Sequence, residues 1–149
     1  MDVCATVPVA VTSIALVVAG CSTSAQAAPG TSQVAGDGPA VTQTSDGGQV
    51  TVAVEWGGPS AGAEFRVAMD THSVDLDSLD LMNATLRNDR GDVLSARPWA
   101  APKSGHHRRG GLSFAGDASA FLSGARWIEL VLVGVGDIPE RTLRWDVRT

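Results

Sequence analysis

From Gln49 onward the apolar residues of this chain recur with a period of two. In "QVTVAVEW", Val50, Val52, Val54 and Trp56 fall on one face, against Gln49, Thr51, Ala53 and Glu55. "EFRVAMD" places Phe65, Val67 and Met69 opposite Arg66, Ala68 and Asp70. Such alternation is the mark of a half-buried strand. "ATLRNDRGDVLSARPW" reads as two strands joined through Asn88-Asp89-Arg90-Gly91, a composition suited to a hairpin turn. "GLSFAG" is a short strand candidate. In "RWIELVLVGVG", Trp127, Glu129, Val131 and Val133 oppose Ile128, Leu130, Leu132 and Val135, and "RTLRWDV" sets Leu143, Trp145 and Val147 against Thr142, Arg144 and Asp146. One helical turn is expected, near Ser78–Met82 or Asp117–Leu122. About seven short strands with no long helices between them predict an all-β, antiparallel two-sheet sandwich of immunoglobulin-like type. Trp56, Trp99, Trp127 and Trp145, in a chain without tyrosine, are the large side chains expected in its core.

The alternation breaks in one place. Phe65, Val67 and Met69 carry odd numbers, but Val74 and Leu76 take the apolar role on even ones. Within "DTHSVDLD", Asp70–Asp77, the phase slips between Asp70 and Val74. That calls for a bulge, a corner or a change of sheet. Thr71, Asp75 and Asp77 suit such a corner, because short polar side chains hydrogen-bond nearby backbone. Arg108 and Arg109 are expected to pair there with Asp75 or Asp77.

The same stretch also suggests chemistry. Asp70 and His72 lie two residues apart, which puts both on one strand face. The remaining histidines, His106 and His107, sit in "GHHRRG", read as a loop flanked by Gly105 and Gly110. Two or three imidazoles with a carboxylate form a ligand set for Zn²⁺ or Cu²⁺. Adjacent residues of an extended segment point to opposite sides, so one of His106 and His107 is expected to ligate. Calcium held by Asp70, Asp75, Asp77 and Asp80 is conceivable, but the spacing does not match a DxDxDG loop. There is no GxSxG elbow, and no glycine-rich loop leads into a helix, so no enzyme is expected.

Ahead of the alternating region the chain changes character. Val7–Gly20 is mostly apolar, the length of a signal-peptide core and short for a membrane span. It ends in Val18-Ala19-Gly20-Cys21, which resembles the lipobox of bacterial lipoproteins. The resemblance implies removal of residues 1–20, lipidation of Cys21, and a domain held on the extracytoplasmic side of a bilayer. The residues before the apolar run hold Asp2 and no base, whereas an export signal needs a positive start. A start codon upstream of Met1 is therefore expected. Residues 21–48 are rich in Ser, Thr, Ala and Gly, and read as a flexible tether that spans roughly 30 Å. Residues 49–149 form the expected domain. Loss of the leader removes Asp2 and no base, which leaves 11 basic against 15 acidic residues, net −4. That charge excludes a broad electrostatic grip on nucleic acid.

The segments "FRVAMDTHSVDLDSLDL", "LRNDRGDVLSARPW", "GHHRRGGLSF" and "IPERTLRW" together resemble a small extracytoplasmic β-domain found in uncharacterised bacterial and archaeal proteins. The resemblance covers most of Glu64–Trp145 and implies a compact exported domain without assigning a reaction. Two functions are then expected to compete. One is divalent-metal binding through Asp70, His72 and His106 or His107. The other is a non-enzymatic module that binds an envelope protein, with the polar residues serving only the fold.

Overall fold

The structure is a computed structural model that describes residues 40–147. The expected leader, Cys21 and most of the expected tether lie outside those residues. Eight strands form two four-stranded antiparallel sheets. They are β1 (Val41–Ser45), β2 (Val50–Trp56), β3 (Glu64–Thr71), β4 (Thr85–Asn88), β5 (Val93–Ser95), β6 (His107–Ser113), β7 (Trp127–Val135) and β8 (Ile138–Asp146). One sheet runs β1-β2-β3-β6 and faces the other, β5-β4-β7-β8. With β2 to β8 lettered A, B, C, C′, E, F and G, the sheets read A-B-E and C′-C-F-G, an immunoglobulin-type Greek key. β1 is an additional edge strand beside it.

The period-two reading holds where it was strongest. Val50, Val52, Val54, Phe65, Val67, Met69, Leu86, Ile128, Leu130, Leu132, Leu143 and Trp145 meet between the sheets, all at most 4% exposed. Trp56, Phe65, Phe114 and Trp145 cluster at one end of this core, with ring centroids 5.3–6.5 Å apart. Trp127 departs from expectation. It shares the outward parity of Glu129, is half-buried, and stacks under the Arg144 guanidinium at 4.1 Å.

Two boundaries also differ. Val41–Ser45, placed in the tether by composition, is β1. It pairs with β2 through backbone alone, a bond that polar residues make as well as apolar ones. β6 begins at His107, so "HRR" is strand and not loop. The helix is α1 (Ala118–Leu122): the Asp117 side chain accepts from the Ala120 amide as an N-cap, and Phe121 and Leu122 are buried. Ser78–Met82 forms turns instead. There Asp80 Oδ1 accepts from the Met82 amide, and Leu81 takes the left-handed φ of 55°, which interrupts a helix.

The registers give the sandwich two poles. At one, the β1–β2 turn, the connection after Thr71, His106 and the two-residue β7–β8 turn at Gly136-Asp137 come together. At the other lie Ala40, residues 57–63, the β4–β5 turn, α1 and Val147.

Candidate functional site

The phase slip is a corner at the first pole. β3 ends at Thr71, whose hydroxyl donates to Gln49 O at 2.6 Å and accepts from the Ser73 and Val74 amides at 3.3 Å each. His72 and Ser73 turn outward, and Leu76 re-enters the core with no exposure. The carboxylates of this corner hold backbone. Asp75 accepts from the Asp77 amide at 2.9 Å, while Asp77 Oδ1 accepts from the Ser104 and Gly105 amides at 2.9 and 3.1 Å. Asp77 thereby joins the corner to the segment before β6, and the Leu76 amide donates to Gly105 O beside it.

Arg108 pairs with neither Asp75 nor Asp77, contrary to expectation. Its parity on β6 points it inward, where it is 5% exposed and lies over Trp99 at 4.5 Å. Nη1 donates to Leu76 O and Leu79 O at 2.7 and 2.6 Å, Nη2 to Ala101 O at 2.9 Å, and Nε to Pro102 O at 3.2 Å. The planar fork of a guanidinium can meet four carbonyls from two loops at once, where a carboxylate could occupy only one side of it. Arg109, next along the strand, faces solvent.

Of the proposed metal ligands, the structure joins two directly. Asp70 and His107 are cross-strand partners, and Nδ1 of His107 lies 2.7 Å from Oδ1 of Asp70. Both side chains are exposed. His106 points away from His107, with Nδ1 on Val74 O at 3.0 Å. Among the described residues, no group of three His, Cys, Asp or Glu side chains is gathered as a metal would require. β3 ends before His72, so Asp70 and His72 do not share a continuous strand face.

Between Gln49, Val74, Asp75, Ser78, Leu79 and the Gly134–Asp137 hairpin lies a shallow, open depression of about 320 Å³. It occupies the same pole as the corner. Beneath the adjoining β1–β2 turn is a second buried arginine that sequence reading passed over. Arg141 donates to Ser45 O and Oγ, Gly47 O and Val50 O at 2.7–3.1 Å, which fastens β8 of one sheet to the turn of the other. Burial pushes its pKa down, and the nearby Asp137 and Asp46 carboxylates pull it up. The signal was available, since Arg141 continues the odd inward parity of Leu143 and Trp145.

At the opposite pole the β4–β5 turn is tied to α1. The buried Asn88 amide nitrogen donates to Asp92 Oδ2 and to Phe121 O, both at 2.9 Å, and Arg90 reaches Ala120 O, Phe121 O and Ser123 O. Asp89 receives the Arg126 backbone amide and Nε at 2.9 and 2.7 Å. The Arg126 side-chain hydrogen bond, seconded by its backbone amide, holds the Asp89 carboxyl below the ordinary 3.8. Hydrogen bonds from Asn88 and then Arg90 lower Asp92 in the same way.

In comparisons with protein-family models, with curated proteins and with solved structures, the chain has no match. The class that the structure itself defines is an all-β two-sheet sandwich.

Proposed function

We propose that this chain is a lipid-anchored extracytoplasmic protein whose sandwich is a non-enzymatic binding module for an envelope protein. The observation that carries the reading is the separation of the poles. The chain enters the domain at Ala40, while the polar corner and its depression lie at the other end of the strands. Anchored through Cys21, such a domain keeps the polar pole clear of the point at which the chain enters it. The Asp75 and Asp77 carboxylates and Arg108 are engaged with backbone, which supports a rigid recognition surface.

A second reading rests on the Asp70–His107 contact. A carboxylate on one imidazole nitrogen orients the ring and leaves the other nitrogen for a metal. His107 would then be one ligand of a surface Zn²⁺ or Cu²⁺ site, with further ligands from His72 or from a partner.

Two measurements test these readings. In a bacterial host, labelled palmitate should enter the wild-type chain and not Cys21→Ser, and photo-crosslinkers at Ser78 and Asp137 should capture envelope protein where those at Gly91 and Ser119 do not. Equal capture from both poles, or none, defeats the module reading. A thermal shift with Zn²⁺ or Cu²⁺ that His107→Ala abolishes would establish the second reading, since ligand at 100 times its Kd adds about 2.7 kcal/mol.

A further inference from the structure

β1 is attached to the sandwich differently from the strands beside it. None of its five residues is buried, and Val41 is 47% exposed, whereas β2 and β3 each bury four side chains in the core. What holds β1 is polar: five register pairs with β2, the Trp145 indole N–H on Val41 O at 2.9 Å, and Arg141 on Ser45 O and Oγ. These bonds exchange for bonds to water on release, and the strand regains its chain entropy. β1 gives up no buried side chain of its own, although its release uncovers the indole edge of Trp145. β2 loses nothing essential, because its other edge is paired with β3 over seven residues.

We propose that β1 is a detachable strap that opens as a unit while the sandwich stays folded. Its release changes the geometry of attachment. With the strap closed, the chain joins the folded domain at Ala40. With it open, Val41–Asp46 joins the tether, and the first fixed residues are those of the β1–β2 turn, at the polar pole. Strap opening therefore moves the point of suspension from one pole to the other. The glycines at 47 and 48, with φ of 142° and 60°, form the hinge at which the strap departs. Arg141 keeps Val50 O when Ser45 and Gly47 leave, so the guanidinium retains a partner in the open state.

Hydrogen exchange followed by mass spectrometry on the intact chain tests the strap whether or not Cys21 carries lipid, and Cys21→Ser should give the same pattern. The β1 peptide should exchange at least 10-fold faster than the peptide spanning β3, with little dependence on urea, the signature of sub-global opening. Ser45→Gly removes the Oγ contact with Arg141 and loosens the strap at its far end. It should speed exchange across all of Val41–Asp46 by roughly 2–5-fold, as expected of a glycine in a strand, and leave the β3 peptide unchanged. Trp145→Phe, which removes the indole donor at the near end, should act on the same whole segment. If β1 exchanges only with the core and with the core's urea dependence, there is no strap. If each variant affects only the two residues beside it, the strand frays and does not open as a unit, and the proposal also fails. Failure of lipid labelling with a positive exchange result would remove the anchor and leave the strap standing.

Discussion

Replacing Arg108 by methionine tests the view that this arginine is the internal brace of the polar pole. Methionine keeps an unbranched apolar stem, so the change chiefly removes the guanidinium, which lies over Trp99 at 4.5 Å. Four carbonyl oxygens lose a donor: Leu76, Leu79, Ala101 and Pro102. Pro102 is exposed, so water can replace the lost bond there, and the buried Leu76 O keeps the Leu79 amide at 3.1 Å. Leu79 and Ala101 are half-buried, and those two oxygens stay without full partners. At about 1–3 kcal/mol for each unsatisfied group, less what water reaches, they contribute about 2–4 kcal/mol. The lost contact with the Trp99 ring adds about 1 kcal/mol. The expected cost is about 4 kcal/mol, a fall in Tm of at least about 15 °C for a domain of this size. Arg108→Lys should recover less than half of it, because one ammonium has three donors and cannot span two loops. His107→Ala, next on the strand but exposed, should cost no more than about 1 kcal/mol. Urea and thermal unfolding of the three variants give the comparison. An Arg108→Met protein that melts within about 5 °C of wild type would refute the brace, as would an Arg108→Lys protein indistinguishable from wild type.

Gly110 gives a second, purely steric prediction. A Cβ there would lie 2.2 Å from Ala100 O and 2.6 Å from Ala101, so Gly110→Ala should cost about 1–3 kcal/mol in urea unfolding, whereas Gly111→Ala, with nothing within 4 Å, should be near neutral. The acid response follows from Asp89 and Asp92, whose folded pKa values lie below the ordinary 3.8. Groups depressed on folding stabilise above their unfolded pKa and lose that contribution as pH falls through the folded value. The urea midpoint should therefore hold from pH 7 to about pH 5 and fall below about pH 4, and Asp89→Asn should flatten the decline; a midpoint that rises on acidification contradicts the assignment. Removal of the β4–β5 brace by Asn88→Ala should lower Tm by several degrees, because the Arg90 and Asp92 amides lose the Asn88 Oδ1 acceptor while Phe121 O keeps only Arg90, together about 1–3 kcal/mol.

What the sequence determined by itself was the fold class and most of the core. Burial on one face of a sheet has the same period as the chain's pleat, so Val50 to Trp56 or Leu143 to Val147 can be assigned without knowing any neighbour. The corner after Asp70 was legible for the same reason, as a break in that period. The turn at Asn88–Gly91 depends on residues a few positions apart and was readable too, and Asp117–Leu122 was one of the two places given for the single helical turn. Edge pairing was not: β1 has no apolar stripe, and its partners lie on β2, on Trp145 and on Arg141, the last two about 100 positions away. Charge also misled, because a sequence shows an arginine and two aspartates of opposite sign in Arg108, Asp75 and Asp77 and cannot show that the arginine's face of β6 points inward onto carbonyls. The meeting of Asp70 with His107, and the failure of His72 to share their strand face, were decided by the β3–β6 register and by the point at which β3 ends. Local alternation is written into each strand, whereas the pairing of polar groups depends on which strands become neighbours, and that is settled only when the sheets assemble.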